Sequence, residues 1–501
     1  MTAVIVTEGL GLFNGSSQAL GQSGLAFGNA GDQLRVNAVN GNLVIQRQDQ
    51  LVVGHGVDNA IVRTYNSQAV FSDESSSSPS NFNFQQNIEV LSPTTVRRLT
   101  ETGSRQFFIK QDDGTYVSDD LGVDDILVDE GEYWYYRDPQ SLIESRFHKD
   151  GDNKGKLSYV TDNEGFVKSY TYSINNNNNS VITISDLAGQ KTEVVLDSLH
   201  RVSSLSSSSI TGELFSNVTY TYVDSTSYIK SVIVDLTPKK DELGTDKNPR
   251  YVTEYAYYDA DADGKRLLMS VQQGDLPSGF NLNGNGNVIS FVYDDNEKIT
   301  QIIRGEGEEA VVTEYAYQAN YTDVVSYQRV RVEVDDTSPL GIRYVAESVA
   351  VTSYYFDERI GDGSLQQFLT KIILPADEFG RRAITSFGYT DEGDVRFVQD
   401  ANGNITRYGY DYDESTEGQG LRLWQLNAEG NAIRWYYNTN NQVTSEVRYT
   451  QSYFDPSDAQ FSPVGAEVIR FVYDDKNRLT FTIKPNGQIN RTEYGDVDNV
   501  S

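Results

Sequence analysis

Along most of this chain, hydrophobic and polar residues alternate in short runs. In Arg478–Ile483, Leu479, Phe481 and Ile483 fall on one face and Arg478, Thr480 and Thr482 on the other, the period-two pattern of a half-buried strand. Lys484-Pro485-Asn486-Gly487 then turns the chain, because proline presets φ while Asn and Gly tolerate positive φ. The unit opens on Tyr473-Asp474, carries Gly487 in its second turn and closes on Tyr494, so it predicts a β-hairpin. No long apolar stripe recurs at helical spacing, and very little helix is expected.

The same pattern returns upstream. Tyr293-Asp294 opens a copy that closes on Tyr315, and Tyr389 opens one that passes through Gly403 and closes on Tyr410-Asp411; tyrosines thus recur about 21 residues apart. Looser copies start at Tyr258-Asp259, with a longer first turn, and at Phe147, where phenylalanine replaces the first tyrosine. Residues 196–205 look degenerate, and 424–449 supply further half-units. A lone two-stranded hairpin is marginal in water, so neighbouring units are expected to pair edge to edge into a larger sheet.

Three features together resemble the RHS/YD-repeat family: the Tyr-Asp openings, the Asn477-Arg478-Leu479 and Gly264-Lys265-Arg266-Leu267 steps, and the Asn-Gly-Asn-Ile-Thr-Arg-Tyr stretch at 402–408. A second likeness lies at residues 36–68, similar to the segment that leads into the repeats of bacterial members. Asn40, Gly41 and Asn42, then Arg63, Tyr65 and Asn66, are its most recognisable residues. The resemblance implies an all-β fold in which YD-repeat hairpins form a curved, spirally wound sheet, a shell or partial shell. It also implies a polypeptide enclosed by that shell, often a toxic effector. The sequence given stops just after a closing tyrosine, so the expectation is the N-terminal part of a larger shell, or a truncated or split member.

Composition limits the alternatives. The 501 residues carry 72 acidic and 41 basic side chains, a formal charge of -31 that repels a phosphate backbone, so no nucleic-acid partner is expected. Thirty-three tyrosines and 41 glycines suit strands and tight turns. Without cysteine there are no disulfides, thiolate metal sites or cysteine nucleophile. The start, Met1 to Phe13, has no basic region and too short an apolar run for a secretory leader, and no membrane span is found. Secretion or surface display by a non-classical route, after a cytoplasmic stage, is the expectation that follows from the resemblance.

Little else points to chemistry. Asp259, Asp261 and Asp263 before Gly264 have the spacing of a calcium loop, but Ser270 stands where a bidentate Glu is expected, and the same residues fill the first turn of a repeat. His55, His148 and His200 lie far apart, outside any zinc or general-base motif. No nucleophile elbow or phosphate-cradling loop occurs. Paired carboxylates of the glycosidase kind cannot be picked out among 72, and their abundance is read as solubility. The tyrosines suit cross-strand ladders, or stacking on a partner surface.

Three regions are expected: a loosely ordered lead at 1–35, a β-rich N-terminal region at 36–146, and repeats from 147 to 501 interrupted by polar insertions such as 174–180, 236–250 and 413–420. The leading expectation is a structural, non-enzymatic shell segment without cofactors. Its partners would be the rest of the shell and an enclosed effector polypeptide, or a toxin-complex partner protein. The alternative is an adhesin-like module that binds glycans or cell-surface proteins through exposed tyrosines.

Overall fold

The computed structural model describes residues 3–6, 10–12, 32–52, 59–69, 78–123, 125–137, 143–162, 166–235, 250–276, 288–334, 342–346, 350–360, 365–413, 420–449, 466–475 and 477–493. Within them lie 37 strands, and the helical elements are three short 3-10 turns, so the fold is all-β as the alternation predicts.

Two local devices recur in the hairpins, a fastened turn and a register slip; the hairpins turned at Asp400 and Asn427 have the first without the second. The first is the turn. The Asp294 carboxylate accepts the backbone N–H groups of Asn296 and Lys298, both at 2.9 Å, and fastens its own turn in the manner of an Asx motif. Asp377, Asp400, Asn427 and Asn438 do the same two and four residues on. Three residues after the acceptor the chain takes positive φ, at Glu297 (62°) and Asn477 (63°), and elsewhere at Gly264, Gly380 and Gly403. The second device follows at once. Register slips at the start of the return strand, so that Tyr293 pairs with Ile299, Tyr389 with Val395 and Tyr473 with Leu479. Such bulges bend a strand and deepen its twist.

A tyrosine one hairpin later ties down the slipped strand. Tyr317 donates its hydroxyl to the Ile299 carbonyl at 2.7 Å, Tyr410 to Val395 at 2.9 Å, and Tyr473 to Val443 at 2.9 Å. Tyr172, Tyr222, Tyr257, Tyr389 and Tyr437 reach Leu157, Val202, Ile229, Leu369 and Arg422 in the same way. The repeat is therefore defined by a phenol that closes one hairpin onto the bulge of the one before.

The strands form two bodies. Five make a small sheet: β1 (Ala3–Ile5) lies parallel to β2 (Asp32–Asn37), and β3 (Leu43–Val52), β4 (Asn59–Asn66) and β5 (Ser80–Phe82) follow antiparallel. Within the 1–35 lead, Ala3–Ile5 is thus a strand of this sheet, while residues 13–31 lie outside the described residues. The other strands pair in chain order into one antiparallel ribbon from Asn87–Ser92 to Ile489–Arg491. Those two end strands share no ladder among the described residues, so the ribbon is open rather than a closed barrel. It curls from the outset: Asn87 bridges Lys156, and the Ile88 N–H reaches the Gly155 carbonyl at 2.8 Å. The strand Tyr321–Val334 carries a side branch, pairing with Ile342–Ala346 at one end and Ala350–Ile360 at the other.

The ribbon wraps the small sheet. Contacts to that sheet begin at Thr102 and recur at Thr192, Ser207, Tyr220, Tyr255, Leu268, Ile299 and Thr322 along the wall. Between them lies one continuous core that includes Val36, Leu43 and Ile61 of the small sheet and Phe108, Leu127, Phe147, Leu205 and Phe291 of the wall. Each such side chain contributes about 2 to 3 kcal/mol by leaving water. The alternate positions face out, as Lys191 and Glu193 do.

Replacing Tyr317 by Phe removes a hydroxyl bond but keeps the ring, and a loss of about 1 kcal/mol in urea unfolding is expected. Burial pushes the Tyr437 phenol up to about 12, and drives those of Tyr222 and Tyr317 upward as well. Unfolding returns each to its ordinary value near 10. The unfolded chain therefore holds fewer protons on these phenols above that pH, so their contribution to stability should be constant up to about pH 10 and fall beyond it. Melting temperature against pH checks this, with the Tyr317→Phe variant showing a shallower alkaline fall.

Candidate functional site

The residues singled out in the leader meet at the junction between the small sheet and its wall. Asn40 and Gly41 form the turn joining β2 to β3, and Gly41 takes φ of 74° against the neighbouring hairpin turn. A Cβ there would lie 2.5 Å from Lys298, while the Gly41 carbonyl accepts the Ile299 N–H at 3.1 Å. Asn42 and Asn66 are wholly buried and joined at 3.0 Å, and the Asn66 amide reaches the Thr102 carbonyl at 2.9 Å. Tyr65 points its hydroxyl at the wall, where it accepts the Leu268 N–H at 3.1 Å. Arg63 stands at the centre of the junction.

That centre is a buried ionic cluster organised by Asp49. A bulge in β3, between Gln48 and Gln50, breaks the alternation and turns Asp49 and Gln50 both inward. The Asp49 carboxylate accepts two bonds from Arg63, at 2.9 and 3.1 Å, and one from the Tyr220 hydroxyl at 2.7 Å, with Arg47 at 3.7 Å. Arg63 also donates to Tyr255 at 2.8 Å and lies over its ring. Burial alone would lower the Arg63 guanidinium, but Asp49 beside it holds it well above its ordinary value. Burial and the adjacent carboxylate push the Tyr220 phenol up, so it stays a donor. Around this core a polar ladder runs from Gln50 to Ser207 and from Asn59 to Thr192. The cluster binds inner sheet to outer wall, and Asp49, Arg63 and Tyr220 satisfy one another, while Gln50 Oε1 and Asn59 Oδ1 are buried without a hydrogen-bond partner among the described residues.

The repeat residues are distributed along the wall rather than gathered at one place. Tyr389, Tyr410 and Tyr473 make the hydroxyl bond described above, and Asp294 and Asp474 fasten their turns. Asp411 accepts the Leu421 N–H at 3.0 Å, and Gly403 and Gly487 supply positive φ. Where tyrosines cluster, the bond belongs to one of the neighbours: Tyr317 makes it while Tyr315 lies in the core, and Tyr257 makes it while Tyr258 donates to Phe291. Tyr293 packs beside Tyr65 of the small sheet. Tyr494 lies outside the described residues.

In the 259–264 turn, Asp261 is the fastening residue, its Oδ1 accepting the N–H groups of Asp263 and Lys265. Asp259 and Asp263 flank it on the surface. Of the histidines, His148 packs near Tyr133 and Tyr172, His200 takes positive φ in a turn, and His55 lies outside the described residues.

Two further places were not foreseen from sequence. One is a cleft of about 600 Å³ with an apolar floor of Phe84, Val181, Ile182 and Leu196 and a rim that includes Lys156 and His200. The other is the far wall. Cross-strand register puts Ile433, Trp435 and Tyr437 on one face with Ile469, Phe471 and Tyr473, all half-buried, while Tyr436, Arg470 and Val472 on the opposite face are exposed. This is the face that bears the closing tyrosines. No single residue signals it; only pairing across hairpins does. Asp49 had a faint signal, the break in alternation at Gln48-Asp49-Gln50.

Removing Asp49 leaves two buried guanidinium groups without their carboxylate, a loss typically about 3 to 5 kcal/mol. Asp49→Ala should therefore lower the urea midpoint strongly, whereas Glu193→Ala on the outer face should leave it nearly unchanged.

No family model and no curated protein matches the chain. Among solved structures, the crystal structure of TcdB2-TccC3 is similar over 92% of this chain, at 12% identity and a TM-score of 0.22. The chain spans 24% of that protein's length. TcdB2-TccC3 without its hypervariable C-terminal region is similar over 93% of this chain and 30% of its own, at 10% identity and a TM-score of 0.18. A porin-like protein from Bacteroides uniformis is similar over 64% of this chain and 87% of its own, at 9% identity and a TM-score of 0.12.

Proposed function

We propose that the chain is a non-enzymatic segment of a β-sheet shell that encloses a polypeptide, as part of a toxin or surface assembly. The observation that supports this is the wrapping of one continuous ribbon around its own small sheet, followed by a return of later hairpins against earlier ones. Arg137 bonds the Asn440 carbonyl, and Gly122 bonds that of Glu392, so that strands far apart in sequence become neighbours. A ribbon that meets itself in this way surrounds a space.

The small sheet occupies the space as far as Thr322. Beyond it, the half-buried face of Trp435, Tyr437, Phe471 and Tyr473 supplies flat amphipathic surfaces suited to an unfolded chain, because tyrosine and tryptophan combine large apolar area with a polar tip. The charge of -31 keeps the outer surface solvated and separates copies. The partners in this reading are the remaining shell wall and the enclosed polypeptide, or a toxin-complex protein, and the assembly acts outside the cell after a non-classical exit.

Light scattering combined with small-angle X-ray scattering on the purified 501-residue chain tests the reading. A crescent-shaped particle, filled along the small sheet and open towards its last strands, alone or paired at its edges, is expected. A compact solid monomer would overturn it and favour the binding-module alternative.

A further inference from the structure

Where one turn of the ribbon closes on another, two backbones touch. The Gly122 N–H donates to the Glu392 carbonyl at 2.5 Å, and a Cβ on Gly393 would lie 2.6 Å from the Gly122 nitrogen. Gly122 and Gly393 have φ of 69° and 102°, a region that suits glycine, so both sides of the contact are built for close approach. Carboxyl groups crowd both sides of it. Asp119 and Asp120 precede Gly122, Asp125 follows it, and Glu392 and Asp394 flank Gly393.

Their surroundings differ. Asp125 is buried and held by Gln106 at 2.6 Å and Tyr136 at 2.8 Å, with Arg98 over the Tyr136 ring and Glu101 beside Arg98. Asp394 is buried, accepts the Tyr412 hydroxyl at 2.9 Å, and has Glu392, Asp411, Arg422 and Tyr410 around it; Asp413 is neutralised by Arg396. Asp120 is half-buried beside Asp119 and Asp125. Asp124 lies outside the described residues.

We propose that this seam is a proton-sensitive clasp, tight while Asp120 and Asp394 are protonated and loosened when they ionise. Burial, reinforced by Asp119 and Asp125, pushes Asp120 up to about 7. Burial, reinforced by Glu392 and Asp411 and opposed by Tyr412 and Arg422, pushes Asp394 up to about 6. Burial also raises Asp119. Opening the seam restores water to both groups and removes the burial that is the largest cause of each shift, drawing them back towards an ordinary carboxyl value near 4 although Asp119, Asp125, Glu392 and Asp411 stay beside them. Between about pH 4 and 7 the open form then holds fewer protons, so rising pH favours opening, and above about pH 7 the preference levels off. The clasp concerns closure of the wall and stands whether or not a polypeptide lies inside.

Hydrogen exchange of the full chain, corrected for the intrinsic rate at each pH, reads the seam through the Gly122 amide. Its protection should fall by roughly tenfold or more from about pH 5 to 8, since each displaced pKa unit is a factor of ten. In an Asp120→Asn, Asp394→Asn double variant it should stay at the acid level. Amides in the paired strands Ile299–Arg304 and Val311–Tyr317, such as those of Ile302 and Thr313, should remain constant in both proteins. Should the double variant not fold, Asp120→Asn alone is expected to recover part of the protection at about pH 8. Protection of Gly122 that is independent of pH, or that falls equally in the Asn variants, would overturn the proposal.

Discussion

The structure depends on one recurring bond, from a tyrosine hydroxyl to the backbone carbonyl at the bulge of the preceding hairpin. A bulge leaves a strand locally out of register and a carbonyl short of its ladder partner. Burying such a carbonyl unpaired is costly, and the phenol satisfies it while filling the space beside it with an aromatic ring. Each hairpin thus completes the one before it. Bulges that recur along the chain bend it again and again, and an open antiparallel sheet becomes a curling ribbon.

Curling creates an inside, and the inside needs filling. The small N-terminal sheet supplies the fill, locked through Asp49, Arg63 and Tyr220. A buried ion pair gains little over a well-packed apolar one but is strongly specific, because any misplacement strands a charge. Here it joins Asp49 and Arg63 on one face of the small sheet to Tyr220 and Tyr255 of the wall. The apolar core around it is continuous from the small sheet to the wall and carries the bulk of the stability.

The all-β fold was largely legible in the sequence, whereas the leader residues were marked there only by resemblance, with no sign of what they join. Alternation gave strands, stretches such as Pro485-Asn486-Gly487 and Asp259 to Gly264 gave turns, and the structure shows that the leader residues Asn42, Arg63, Tyr65 and Asn66 converge. Clustered tyrosines were ambiguous, since at 255–258 and 315–317 the side that reaches the bulge depends on register. The start of the chain was read as loosely ordered, yet Ala3–Ile5 adds a parallel strand to β2, a long-range pairing with no local mark.

By itself, then, the sequence determined the hairpin, its turn and its period, because these rest on side chains within a few residues of one another: an Asp reaching two backbone amides, a glycine or asparagine at positive φ, alternate residues on opposite faces. Tertiary structure alone decided the enclosure. Asp49 meets Tyr220, Gly122 meets Glu392, and Trp435 shares a face with Phe471 only after many bulges have accumulated their bend. Small rotations at each hairpin sum over the whole ribbon, and no local pattern records that sum.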